Sequence, residues 1–86
     1  MKILIGDIGN TLTKLCLTND SLTIIKEYNI ETAKIFKEKN LIKFFKPILS
    51  KNIEKKILFS SVVPKIFKKI NKFLKLKKYK VYEIKK

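Results

Sequence analysis

Ile3, Leu4 and Ile5 form an unbroken apolar run that stops at Asp7. Such a run reads as a strand covered on both faces, with a carboxylate where it ends. Thr11 to Leu17 reads as a second strand. The Gly9-Asn10 dipeptide between the two closes two-residue hairpins, because both residue types tolerate positive φ. Asn19-Asp20 marks a turn and Leu22 to Tyr28 a third strand, so the chain opens with a meander. The period then lengthens. Asn29 is read as an N-cap, and from Glu31 the residues Ala33, Phe36, Leu41, Phe44 and Phe45 give a helical stripe that ends before Pro47. Lys51 to Lys56 is polar connection, and Lys56 to Val63 is a fourth strand. Pro64 suits the first turn of a second helix, where Ile66, Phe67, Ile70, Phe73 and Leu74 lie opposite Lys65, Lys68, Lys69, Lys72 and Lys75. Tyr79 to Ile84 closes as a fifth strand. The order βββαβαβ predicts an α/β fold, a mixed sheet with two helices packed on it, as one domain over residues 1–86.

Length and charge refine that picture. A chain of 86 residues permits one small domain with a modest core, marginal unless something else covers it. The formal charge is +14, from 21 basic and 7 acidic residues, and every basic residue is lysine. A surplus of this size suits nucleic acid or an anionic membrane. Yet arginine reads guanine edges and grips phosphate bidentately, so its absence argues against an evolved reading surface. A solvated lysine surface is expected instead, with no specific nucleic-acid partner and no membrane partner. Aromatics interleaved with lysines on an exposed strand face would mark a nucleic-acid module, and Tyr79 and Tyr82 come closest. The lone Cys16 can form no internal disulfide, no apolar run is long enough for a signal peptide or a membrane span, and a cytoplasmic protein is expected. Cys16 itself reads as core.

The chemistry concentrates in Asp7-Ile8-Gly9-Asn10-Thr11-Leu12-Thr13-Lys14, which sets a carboxylate, a turn, two threonine hydroxyls and a lysine behind a strand. Concave sets of backbone amides attract anions, and an acid beside them can hold magnesium against polyphosphate oxygens. With Gly9 and Asn10 as the loop, Asp7 opposes Leu12 and Ile5 opposes Lys14. Asp7 and Lys14 then share a face as diagonal neighbours about 7–8 Å apart. A one-residue change in loop length would separate them. The same spacing also suits a plain hairpin with a structural Asp–Lys pair. Ser60 and Ser61, near the end of the fourth strand, either line a ligand cleft or cap the helix at Pro64; serine leads the N-cap ranking, which favours the cap.

Asp-Ile-Gly-Asn-Thr with a lysine shortly after resembles the first phosphate motif of type III pantothenate kinases, within the actin, sugar kinase and Hsp70 ATPase superfamily. Ile57-Leu58-Phe59-Ser60-Ser61-Val62-Val63-Pro64 is similar to that family's fourth strand and its entry into a helix. The resemblance covers the front part of a family member. It implies a ribonuclease H-like ATPase lobe in which Asp7, Ile8, Gly9, Asn10, Thr11, Leu12, Thr13 and Lys14 bind the phosphates of ATP and Asp7 lies nearest Mg2+. It also implies a cytoplasmic homodimer that phosphorylates pantothenate with ATP in coenzyme A biosynthesis. The family's Gly-Ala-Asp-Arg motif, with the catalytic aspartate, matches nothing here, and the K+ or NH4+ site is expected to be absent as well. None of Asp20, Glu27, Glu31, Glu38, Glu54 and Glu83 sits in such a motif. The expectation is thus an ATP-binding segment that is inactive alone. The alternatives are a non-catalytic remnant or a basic nucleic-acid-binding module.

Overall fold

The computed structural model describes residues 1–84. Its strands are β1 (Lys2–Ile8), β2 (Leu12–Thr18), β3 (Ile24–Glu31), β4 (Ile53–Ser61) and β5 (Lys80–Ile84). A 3-10 turn at Thr32–Phe36 leads into α1 (Glu38–Leu49), and α2 (Pro64–Leu76) joins β4 to β5. The sheet order is β3-β2-β1-β4-β5; β2 is antiparallel to both neighbours, while β1, β4 and β5 run parallel. This α/β arrangement, with a five-stranded mixed sheet and two helices, is compatible with a ribonuclease H-like ATPase lobe.

Strand alternation decides where the core lies. Leu4, Ile8, Leu15, Leu17, Ile57 and Phe59 point to one face and join Leu41, Phe45 and Ile48 of α1 and Ile66, Ile70 and Leu74 of α2 in a single cluster. Phe45 meets Phe73 at 5.6 Å between ring centroids, and Phe59 meets Phe67 at 6.4 Å. Both helices therefore cover the same face. The other face is open, and Ile3 and Ile5 are only half-buried there. The reading of β1 as covered on both sides is corrected accordingly: its unbroken apolar run faces helices at Leu4 and an uncovered sheet at Ile3 and Ile5.

Several boundaries also move, each for a local reason. Asn29 is not an N-cap but lies inside β3, opposite Lys14. The third strand begins at Ile24 because the Asn19 side chain accepts the N–H groups of Ser21 and Thr23, holding the turn through Leu22, whose φ is 63°. Helix α1 runs through Pro47 to Leu49: in its last turn a proline forfeits a single intrahelical bond, and Ser50 Oγ donates to the Pro47 carbonyl at 2.7 Å. Strand β4 starts at Ile53, within the segment read as connection, because Ile53 is buried in the core. Pro64 opens α2 as expected, but the N-cap is Val63 and no serine side chain caps the helix. Ser61 Oγ instead accepts the Val63 N–H at 3.0 Å, a turn that ends β4.

Candidate functional site

The hairpin register differs from the expected one by two residues. Ile8 faces Thr13, Asp7 faces Lys14 and Ile5 faces Cys16, so Asn10 and Thr11 form the tip, and the Gly9 N–H donates to the Leu12 carbonyl at 3.0 Å. No glycine has positive φ, which removes the conformational argument for Gly9 and Asn10 as the loop pair. A two-residue slip preserves which face each side chain takes. Asp7 and Lys14 therefore still share a face, now directly opposite rather than diagonal.

That face is the open one. Asn29, Lys14, Asp7, Ser60 and Ile84 stand side by side across β3, β2, β1, β4 and β5. The next row is Glu27, Cys16, Ile5, Leu58 and Tyr82. Together Ile5, Gly6, Asp7, Lys14, Cys16, Ser60 and Ile84 line a shallow cavity of about 280 Å³. Asp7 and Ser60 lie at the carboxyl ends of two parallel strands, where β1 connects away toward β2 and β4 toward β5. Such a switch point is where open α/β sheets collect ligands. A larger cleft of about 450 Å³, lined by Ile42, Leu49, Phe73 and Tyr79 among others, lies beyond the opposite ends of the parallel strands, and among the described residues no acid lines it.

The loop above the cavity is braced from the helix side. Thr32 Oγ1 donates to the Gly9 carbonyl at 2.7 Å and lies 2.9 Å from Thr13 Oγ1. Since Thr32 has spent its only proton, Thr13 must be the donor between them. The Thr32 N–H donates to the Thr11 carbonyl at 2.9 Å. Ile8 and Thr13 are fully buried on this face, so their side chains support the loop and do not line the cavity. Thr11 and Leu12 are exposed, and the N–H groups of Asn10 and Thr11 make no hydrogen bond among the described residues. Thr32 carries no signal in the spacing. Gly6 does, as the one small residue within β1; a Cβ there would collide with the Phe59 ring.

Lys14 Nζ is 3.8 Å from Glu27 Oε1, both side chains about half exposed. Such a pair contributes little and leaves the ammonium free to turn toward a stronger anion. Among the described residues Asp7 makes no ion pair, and no three acidic, histidine or cysteine side chains cluster to hold a metal. A divalent ion here would have to complete its shell with ligand oxygens and water. Magnesium does so beside a single exposed carboxylate, so Asp7 fits it.

Cys16 is half-buried on the open face rather than in the core. Burial pushes its thiol pKa up, the carboxylates of Glu27 and Asp7 add to this, and the Lys14 ammonium partly opposes it. A raised folded-state value means that the folded chain holds the proton longer than the unfolded chain. The resulting stability is fully present below the ordinary thiol value of about 8.5 and is lost as pH rises through the folded value. Iodoacetamide modification of the folded chain should therefore reach half its maximal rate at a higher pH than in urea; equal midpoints would contradict the shift.

Two comparisons extend the geometry. The family model described as type III pantothenate kinase matches residues 3–86. A type III pantothenate kinase of Pelagibacter ubique (strain HTCC1062) is 44% identical over 87 aligned positions, which cover 96% of this chain and 32% of that protein. The chain thus spans about a third of the length of the relative it matches. With that match running along nearly the whole chain, and with the sheet expected of the fold, the chain belongs to the type III pantothenate kinase family.

Proposed function

We propose that this chain is the ATP-phosphate-binding N-terminal part of a pantothenate kinase. In the parent reaction the γ-phosphoryl group of ATP passes to the primary hydroxyl of pantothenate, giving 4'-phosphopantothenate for coenzyme A synthesis. The observation that carries the reading is the meeting of Asp7, Lys14 and Ser60 on an uncovered sheet face, directly below the Gly9–Leu12 loop. The loop amides and Lys14 offer donors to phosphate oxygens. Asp7 holds magnesium, largely through water; the ion, when bound, neutralises phosphate charge. Thr32 and Thr13 keep the loop in place.

The remaining step of the parent reaction needs a base to take the pantothenate proton. Asp7, Glu27 and Glu31 stand on the open face, and no acid among the described residues matches the family's catalytic motif. The chain by itself is therefore read as inactive. The monovalent-cation site and most pantothenate contacts are assigned to the rest of the parent enzyme, which the family reading makes a homodimer. No helix among the described residues is long and apolar enough to cross a membrane. A cytoplasmic location accords with the biosynthetic role. The nucleic-acid reading loses support on the open face, where Tyr82 is the one aromatic among the described residues, Tyr79 being buried.

NMR titration of labelled chain tests the proposal. Mg-ATP should perturb Asp7 to Lys14 and Ser60, and adenosine should not. Affinity should be weak, since each solvent-exposed amide contact contributes only about 0.5–1.5 kcal/mol. Asp7→Asn should remove the magnesium dependence and leave the fold unchanged. Identical responses to both ligands, or formation of phosphopantothenate by the chain alone, would contradict the reading.

A further inference from the structure

Ser60 is neither helix cap nor core residue. Its Oγ is buried and, among the described residues, has no hydrogen-bond partner, while its neighbour Ser61, one step along the strand, points to the other face and satisfies the turn before α2. Asp7, its register partner on β1, makes no bond to it. A buried hydroxyl without a partner is unfavourable for the fold, so a structural role does not account for it. It lines the same cavity as Asp7 and Lys14.

We infer that Ser60 is a positioning residue of this site, its hydroxyl completing the polar set that receives the magnesium-bound phosphates. The inference rests on the phosphate-site reading above and adds a residue to it. What each group can donate or accept decides the assignment. The Asp7 carboxylate only accepts hydrogen bonds and the Lys14 ammonium only donates them. A phosphate oxygen only accepts, and a metal-bound water mainly donates. A hydroxyl does both, so between such a water and such an oxygen Ser60 can accept from the first and donate to the second. Neither Asp7 nor Lys14 can take that place. Adjacent parallel strands put the two side chains about 4.8 Å apart, room enough for one shared oxygen between them.

The test compares the chain with Ser60→Ala and Ser60→Thr, by NMR titration with Mg-ATP and by thermal melting without ligand. Ser60→Ala should weaken Mg-ATP about three- to tenfold, the effect of one net hydrogen bond. Its melting temperature should stay level or rise by a few degrees, since an unsatisfied buried hydroxyl has gone. Ser60→Thr, which keeps the hydroxyl beside an open cavity, should restore most of the affinity. Unchanged affinity in Ser60→Ala would overturn the role of Ser60 alone. A lowered melting temperature together with weakened binding would make the residue structural and equally overturn it. Failure of the unaltered chain to bind Mg-ATP would overturn both this inference and the phosphate-site reading.

Discussion

Gly6→Val is expected to leave the chain largely unfolded at 25 °C, and Gly6→Ala to lower its melting temperature by about 10–20 °C. Gly6 stands in the middle of β1, between Leu15 of β2 and Phe59 of β4, all three on the helix-covered face. A Cβ there would collide with Cε1 and Cδ1 of Phe59 and stand 2.7 Å from Leu15 Cδ2. Both neighbours are fully buried, so neither can swing into solvent. Overpacking of this kind costs about 1–3 kcal/mol, and each kcal/mol moves the midpoint of a domain this small by about 4–8 °C. Valine adds two further methyl groups to the same collision. Backbone conformation plays no part, since Gly6 does not have positive φ. Circular dichroism melts of both variants decide the matter. The cause is isolated by a second change: Phe59→Leu in the Gly6→Ala background should regain part of the loss, whereas further destabilisation would mean that the ring is not what the Cβ meets.

The same crowding shows why some of the site was legible in the sequence and some was not. Alternation along β1 and β4 puts Asp7 and Ser60 opposite the buried Ile8 and Phe59, and parity survives an error of two residues in the hairpin register. The Asp7–Lys14 juxtaposition therefore followed from the residues even though Asn10-Thr11, and not Gly9-Asn10, forms the tip. The open face was not legible, because the apolar runs Ile3-Leu4-Ile5 and Ile57-Leu58-Phe59 look alike whether one side or both are covered. Only the placement of both helices on one side distinguishes the cases. Ser60 and Ser61 were likewise inseparable by propensity, which favours a cap for either; strand alternation sends Ser61 to the turn before α2 and Ser60 to the cavity. Pro47 misled because the rule against interior proline weakens in the last turn. That Asp7 and Lys14 share a face was thus readable, but the support beneath the loop was not, since hydrogen bonds between distant side chains leave no periodicity.

Thr32→Val is expected to destabilise the chain by about 2–4 kcal/mol and to loosen the Gly9–Leu12 loop with it. Thr32 joins the end of β3 to the start of the 3-10 turn and is buried against the loop. Its hydroxyl donates to the Gly9 carbonyl and accepts from Thr13, whose own side chain is fully buried. Valine matches the shape but deprives that carbonyl of its side-chain donor and leaves the Thr13 hydroxyl without an acceptor. Each orphaned group costs about 1–3 kcal/mol when water cannot reach it. Thr13→Val alone should cost less, because the donation to Gly9 survives. The double variant should be less damaging than the sum of the two, with a coupling of about 0.5–3 kcal/mol, since the second change removes a hydroxyl already stranded by the first. Thr32→Ser should stay close to the unaltered chain. Urea unfolding of the unaltered chain, the two valine variants and the double variant gives the cycle, and amide hydrogen exchange at Gly9 reports the loop. Additive losses would make the two threonines independent packing residues, and unchanged exchange at Gly9 in Thr32→Val would show that the loop is held by β1 and β2 alone.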